Sequence, residues 1–252
     1  TAGRPSAARE SFEAARLVFA EMKLENGIFD AWAGQGDMER RLGHGDAARS
    51  AYERALVAYE PARVAISLES REHEETAIGS LDERVALVLL GLGDLEVKSG
   101  LDPTNLFDRA RTLVPEGNPQ VDGALLLGRG GLYQNAGRAD EAAAAFQAAE
   151  KIFSGAGLDL GTGQALLAQA NLASTQGATV AALELYPRAL NAFLVARDKI
   201  GESDARWAWA NALSATDGNQ MEANIQYRIV ARVFDDLDMR EKAAAARVAA
   251  DA

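Results

Sequence analysis

The sequence predicts an all-α protein, a stack of about five to six helix pairs. Three observations carry that expectation. An alanine–aromatic–alanine signature recurs about every 40 residues. A glycine separates the two helices of each pair. The 252 residues are 48% hydrophobic with only six prolines, and β-branched residues seldom cluster, so strands find little support.

The clearest stretch runs from Trp32 to Leu56. Trp32 opens a helical stripe with Gly36 one turn later, Gly43 ends that helix, and Ala48, Tyr52 and Ala55 share one face of the next. Steps of four and then three residues fall on one stripe of an α-helix. Small alanines beside an aromatic let two helices approach while the ring fills the gap.

The same second-helix stripe is legible elsewhere. It reads Ala8, Phe12, Ala15 before this unit, then Ala142, Phe146, Ala149; Ala182, Tyr186, Ala189; and Ala223, Tyr227, Val230. Phe12 and Tyr52 lie 40 residues apart, as do Phe146 and Tyr186, and Tyr227 follows 41 later. The interval from Tyr52 to Phe146 holds a degenerate unit at Phe107 and Ala110, with Asp102-Pro103 inserted in its turn. First helices carry Trp32 and Gly36; Leu89 and Gly93; Leu126, Gly130 and Tyr133; Leu166, Ala170 and Ala173; Trp207 and Asn211. The turns hold Gly43, Gly100, Gly137, Gly177 and Gly218, where a glycine takes φ > 0 without steric cost. Asp46, Asp140 and Thr179 read as helix starts. A second pattern places glycine eight residues after a phenylalanine: Phe19 to Gly27, Phe153 to Gly161, Phe193 to Gly201. It implies a second helix longer by about two turns than in 34-residue repeats.

These residues, above all Trp32, Gly36, Gly43, Ala48, Tyr52 and Ala55 with Pro115 after the degenerate unit, resemble the tetratricopeptide repeat family in its roughly 40-residue variant. The resemblance runs from about Ser6 to Asp235 and implies a right-handed α-α superhelix. Departures are Arg129, Gln169 and Ala210 where the family has leucine, and Asn211 at the small packing position. The expected organisation is one repeat domain over 1–252. It comprises a half repeat at 6–28, a repeat at 29–60, an extended linker or helix at 61–80 and a degenerate repeat at 81–118. Repeats at 121–158, 161–200 and 203–236 follow, with a capping helix at 239–252.

Composition narrows function. The net charge is −11, which repels a phosphate backbone and argues against nucleic acid. No apolar run reaches the ~20 residues that span a bilayer. There is no cysteine, so disulfides, thiolate nucleophiles and cysteine-ligated zinc are excluded. The chain begins at Thr1, which reads as a fragment or processed form. A cytoplasmic setting is expected. His44 lies in a glycine-flanked turn that asks for no function. Glu69 and His73 could face a metal from one helix, but nothing nominates a third ligand. Gly128-Arg129-Gly130-Gly131 and Gly155-Ala156-Gly157 follow no strand, so phosphate cradles fail on context. No cofactor, metal or catalytic set is nominated.

What remains is a binding surface. The resemblance places the first helices along a concave groove and points to Arg40 and Arg41, then Leu90, Asp94 and Lys98, then Leu127, Gln134 and Asn135, then Leu167 and Asn171. Leu90, Leu127 and Leu167 are register-equivalent and are expected to form an apolar stripe. The amides could bond an extended backbone, and Arg40, Arg41 and Lys98 would make one end basic. The lysines of the chaperone-binding carboxylate clamp are absent, with Ala33, Leu90 and Leu127 in their places. The expected function is a non-catalytic scaffold or adaptor that binds a peptide or helix of another protein. Two readings stay open beside it: a sensor or regulatory arm of a larger bacterial signalling ATPase or caspase-like protease, and a metal-dependent enzyme. A homodimer is compatible with such a fold, though no residue specifies it.

Overall fold

The computed structural model describes residues 5–69, 74–216 and 218–251. Twelve helices and no strand are found among them: α1 (Pro5–Glu21), α2 (Glu25–Leu42), α3 (Gly45–Glu69), α4 (Glu74–Lys98), α5 (Thr104–Leu113), α6 (Pro119–Asn135), α7 (Ala139–Gly155), α8 (Asp159–Thr175), α9 (Thr179–Val195), α10 (Lys199–Ser214), α11 (Gln220–Asp236) and α12 (Arg240–Ala250). The residues from Pro5 to Asn135 form one compact unit, and those from Ala136 onward form another.

In the N-terminal unit the repeat signature is the core. Ala48, Tyr52 and Ala55 are fully buried, joined by Phe29, Leu81, Val85, Leu89, Phe107 and Leu125. Helix α4 packs against α2, α3, α5 and α6, which is why its sequence is leucine-rich on every side. Pro61 lies inside α3 with its ring exposed. It removes one backbone donor without breaking the helix, because Ala58 and Ala62 on the inner face remain buried. The stretch expected as an extended linker or helix is thus helical over 61–69 and again from Glu74. The degenerate unit keeps its core residues, Phe107 and Ala110, on a second helix of only ten residues. Two residues before the first residue of that helix, the Asp102 carboxylate accepts from the Thr104 amide at 3.0 Å and the Thr104 hydroxyl at 2.6 Å.

In the C-terminal unit Ala142, Phe146 and Ala149, then Ala182, Tyr186 and Ala189, then Ala223, Tyr227 and Val230 are buried in register. Trp207 meets Tyr227 edge to face, with centroids 5.4 Å apart. One assignment changes. Asn211 is exposed, and Ala210 is the buried small residue beside Tyr227. Five residues join α10 to α11 against three between α8 and α9, and Trp209 takes the leucine place and Ala210 the small one.

All five predicted turn glycines have positive φ, from 71° to 84°. At Gly43, φ is +84° and its amide bonds the Arg40 carbonyl, a left-handed helix end. Asp46 and Asp140 are each the second residue of a helix, and the position before α7 gives no side-chain cap. Their carboxylates act through the helix dipole instead. The phenylalanine–glycine pattern is a contact rather than a measure of helix length. A methyl on Gly27 would stand 2.6 Å from the Phe19 ring, and one on Gly161 would stand 2.5 Å from Phe153. Gly128 and Gly131 likewise make room, for Phe107 and Val97. Among the described residues no helix is long and apolar enough to cross a membrane.

Candidate functional site

The nominated residues of the N-terminal unit form a closed charge network. Arg40 Nη1 lies 2.9 Å from Asp94 Oδ2, and its Nε donates to the Tyr52 hydroxyl at 3.1 Å. That hydroxyl donates to Asp37 Oδ1 at 2.6 Å. Lys98 Nζ reaches the same Asp94 oxygen at 2.9 Å. Burial pushes the Asp94 carboxyl upward, but Arg40 and Lys98 outweigh it and hold it below the ordinary range. Burial likewise opposes the Arg40 charge, and Tyr52, Asp94 and Asp37 more than restore it. Burial raises Tyr52. The expected basic end is therefore neutralised at Arg40 and Lys98, which tie α2, α3 and α4 together. Arg41 is half-buried.

The apolar stripe is also corrected. Leu90 is 6% exposed and belongs to the core, because α4 is surrounded by other helices. Leu127 is half-buried in α6, as is Gln134. Asn135 donates to the Val97 carbonyl at 2.6 Å, a link between the ends of α6 and α4. Leu167 is half-buried and packs on the clusters around Phe193 and Tyr186.

Asn171 has a different environment. It sits on α8, and its Oδ1 accepts from the Tyr186 hydroxyl at 3.1 Å. On α10, which touches α8, Asn211 Oδ1 accepts from the Tyr227 hydroxyl at 2.6 Å. Both are the same device. A buried tyrosine of the second helix reaches the first helix of its own pair 15 or 16 residues earlier. Asp37 and Tyr52 repeat it in the N-terminal unit, and a carboxylate there can only accept. A phenol is the better donor, so in each asparagine the oxygen faces the ring and the Nδ2 group faces away. Neither Nδ2 has a partner among the described residues. The sequence nominates Asn171 but places Asn211 at a packing position instead. The signal was present: tyrosine, unlike phenylalanine, needs a polar neighbour for its buried hydroxyl.

Other polar groups are structural. Glu39, with a side chain 2% exposed, receives Arg9 Nε at 2.5 Å and Nη2 at 2.8 Å. His44 Nδ1 lies 2.7 Å from its second oxygen. Gln169 donates to Glu150 at 2.8 Å, and Arg188 meets the same carboxylate at 2.7 Å. Glu202 is held by Arg206 and Lys199. Among the described residues no three His, Asp or Glu side chains could hold a metal ion together. Glu69 ends α3, and His73, its expected partner, lies outside the described residues.

No protein-family profile matches the chain, and no curated protein is recognisably similar in sequence. Solved structures do match. Aspartyl phosphate phosphatase F from Bacillus subtilis superposes with a TM-score of 0.54 at 16% identity, covering 95% of this chain and 63% of that one. A Rap protein complexed with Competence and Sporulation Factor gives 0.53 at 15%, covering 94% and 66%. The apo form of RapI gives 0.53 at 11%, covering 88% and 64%. The chain spans just under two thirds of the length of each. At these identities the likeness establishes the fold, which is that of a tetratricopeptide-type helical-repeat solenoid.

Proposed function

We propose that this protein is a non-catalytic scaffold that binds an extended peptide segment of a partner protein across α8 and α10. One observation carries the reading: Asn171 and Asn211 stand at equivalent places on neighbouring first helices, each oriented by a tyrosine and each with a free amide donor. Two such donors 40 residues apart in sequence suit the carbonyls of an extended backbone, which repeat along a strand. Leu167 adds half-buried apolar surface on the same helix as Asn171. The likeness to the fold of a Rap protein solved in complex with Competence and Sporulation Factor is compatible with this reading.

Selection of a random peptide library on the full chain tests it. The selected peptides are expected to lose at least about tenfold in affinity, some 1.4 kcal/mol, when both asparagines become Asp. That change keeps the acceptor that Tyr186 and Tyr227 need and replaces each donor with a repelling oxygen. Undiminished binding to the double variant would remove this face from the assignment.

A further inference from the structure

The helix pairs α2–α3, α8–α9 and α10–α11 share one register. Gly27, Gly43 and Tyr52 correspond at a constant offset to Gly161, Gly177 and Tyr186. Gly161, Ala165 and Ala170 correspond in the same way to Gly201, Ala205 and Ala210. The three pairs can therefore be compared residue by residue. In α8–α9 a cleft of about 430 Å³ opens between the helices, with Thr162 and Leu166 on one side and Pro187, Arg188, Asn191 and Val195 on the other.

The other two pairs carry larger side chains at these positions. In α2, Ile28 and Trp32 stand where α8 has Thr162 and Leu166, and both pack on the N-terminal core. The Arg54 guanidinium, counterpart of Arg188, lies over the Trp32 ring at 4.6 Å from its centroid. In α10 the same two positions hold Glu202 and Arg206, whose side chains are only 7% and 14% exposed and meet at 3.1 Å. Of the three first helices, only α8 has neither a ring nor a charged pair there. Its Arg188 is nevertheless held in place. Arg188 Nη2 donates to Glu150 at 2.7 Å, and Gln169 donates to the same carboxylate at 2.8 Å. The counterpart of Glu150 is Arg16, which bonds Gln35 at 2.6 Å and stacks on Trp32 at 3.8 Å. Where the N-terminal unit uses a second cation on the indole, α7 offers a carboxylate that anchors Arg188. An ion pair in the guanidinium plane leaves the flat face of the group free to stack on a ring.

We infer that the α8–α9 cleft is a binding site for an indole ring, inserted by a tryptophan of a partner segment. The ring rests on Leu166, between the apolar surfaces of Pro187 and Val195, with Arg188 over its face as Arg54 lies over Trp32. Asn191 is exposed at the rim and offers both a donor and an acceptor to the peptide groups that carry the ring. The volume falls at the smaller end of small-ligand sites, which suits one side chain and its flanking amides. Leu166 and Asn171 are five residues apart on α8, a rotation of about 140°. The cleft therefore lies on a different face from the asparagine pair and does not depend on it.

The probe is N-acetyl-tryptophanamide, titrated into the full chain labelled with nitrogen-15 and followed by amide shifts, with N-acetyl-leucinamide beside it. Saturable shifts are expected at the cleft residues of α8 and α9, with the tryptophan amide binding at least about fivefold more tightly than the leucine amide. Refilling the cleft as in α2, by Thr162→Ile with Leu166→Trp, should abolish binding. Arg188→Ala should weaken it at least about threefold. The Arg188 side chain is 57% exposed, so this variant decides the matter if the refilled chain does not fold, which circular dichroism checks. Absence of saturable shifts at the cleft, equal affinity for the two amides, undiminished binding to a folded refilled chain, or undiminished binding to Arg188→Ala would each overturn the inference.

Discussion

Substituting Gly36 by alanine tests whether the glycine–aromatic sandwich is what sets helix spacing. By helix propensity alone the change should stabilise by about 1 kcal/mol. Sterics oppose it. The new methyl would press on the edge of the Tyr52 ring, far inside normal contact. The ring has no retreat. It is fully buried, Gly91 backs it on the far side, and its hydroxyl is bonded to Asp37 and Arg40. Overpacking of this kind costs ~1–3 kcal/mol, and tilting the ring would weaken two hydrogen bonds worth ~0.5–1.5 kcal/mol each. The net expectation is a loss of about 1–3 kcal/mol. Gly79 is the control. It also lies within a helix, but an added methyl there meets nothing within 4 Å, so Gly79→Ala should gain about 0.5–1 kcal/mol. Urea denaturation followed at 222 nm reads both. A Gly36→Ala chain as stable as the parent would refute the sandwich as the spacer.

Two further outcomes follow from the polar groups and turns. Arg9 holds the Glu39 carboxyl below its ordinary range, with burial opposing and His44 assisting. A depressed carboxylate contributes stability that is complete above its unfolded pKa of about 4.3 and is lost as pH falls through the lower folded value. Removing Arg9, whose side chain is 43% exposed, should cost about 1–3 kcal/mol and move the acid transition upward, measured by far-UV dichroism against pH. Identical acid midpoints would contradict the pairing. Arg197 sits at φ +54° between α9 and α10, where Gly157 occupies the equivalent turn after α7. Arg197→Gly should therefore raise stability by roughly 0.5–1 kcal/mol in thermal unfolding, as left-handed conformations strain side chains; a drop would show that the arginine side chain holds the turn.

The fold was legible because a repeat writes its constraints several times. Ala48, Tyr52 and Ala55 alone would be an ordinary helix face. Their recurrence at Ala182, Tyr186 and Ala189 fixes a period, and glycines such as Gly43 and Gly177 mark the same turn in successive copies. Helix α4 was harder to read, because a helix wrapped by four others has no polar side to reveal its orientation, and Leu90 looked like surface for that reason. Arg40 and Asp94 were nominated together as groove residues. Their pairing was hidden, since 54 residues separate them and only the third dimension joins them.

The asparagines show how far a repeat can carry a functional argument. At the small packing position, departures from the pattern are constrained by the neighbouring ring, as Ala210 beside Tyr227 illustrates. One place further along, the constraint comes from the tyrosine hydroxyl, which needs an acceptor. Aspartate satisfies it at Asp37, and asparagine satisfies it at Asn171 and Asn211. Packing treats these as equals, but their outward faces differ. The aspartate is consumed in an ion network with Arg40, whereas each asparagine leaves a donor free. Stability therefore explains the oxygen at this place and leaves the amide nitrogen unexplained. That unexplained atom, repeated on neighbouring helices, is what points to a ligand rich in carbonyl groups.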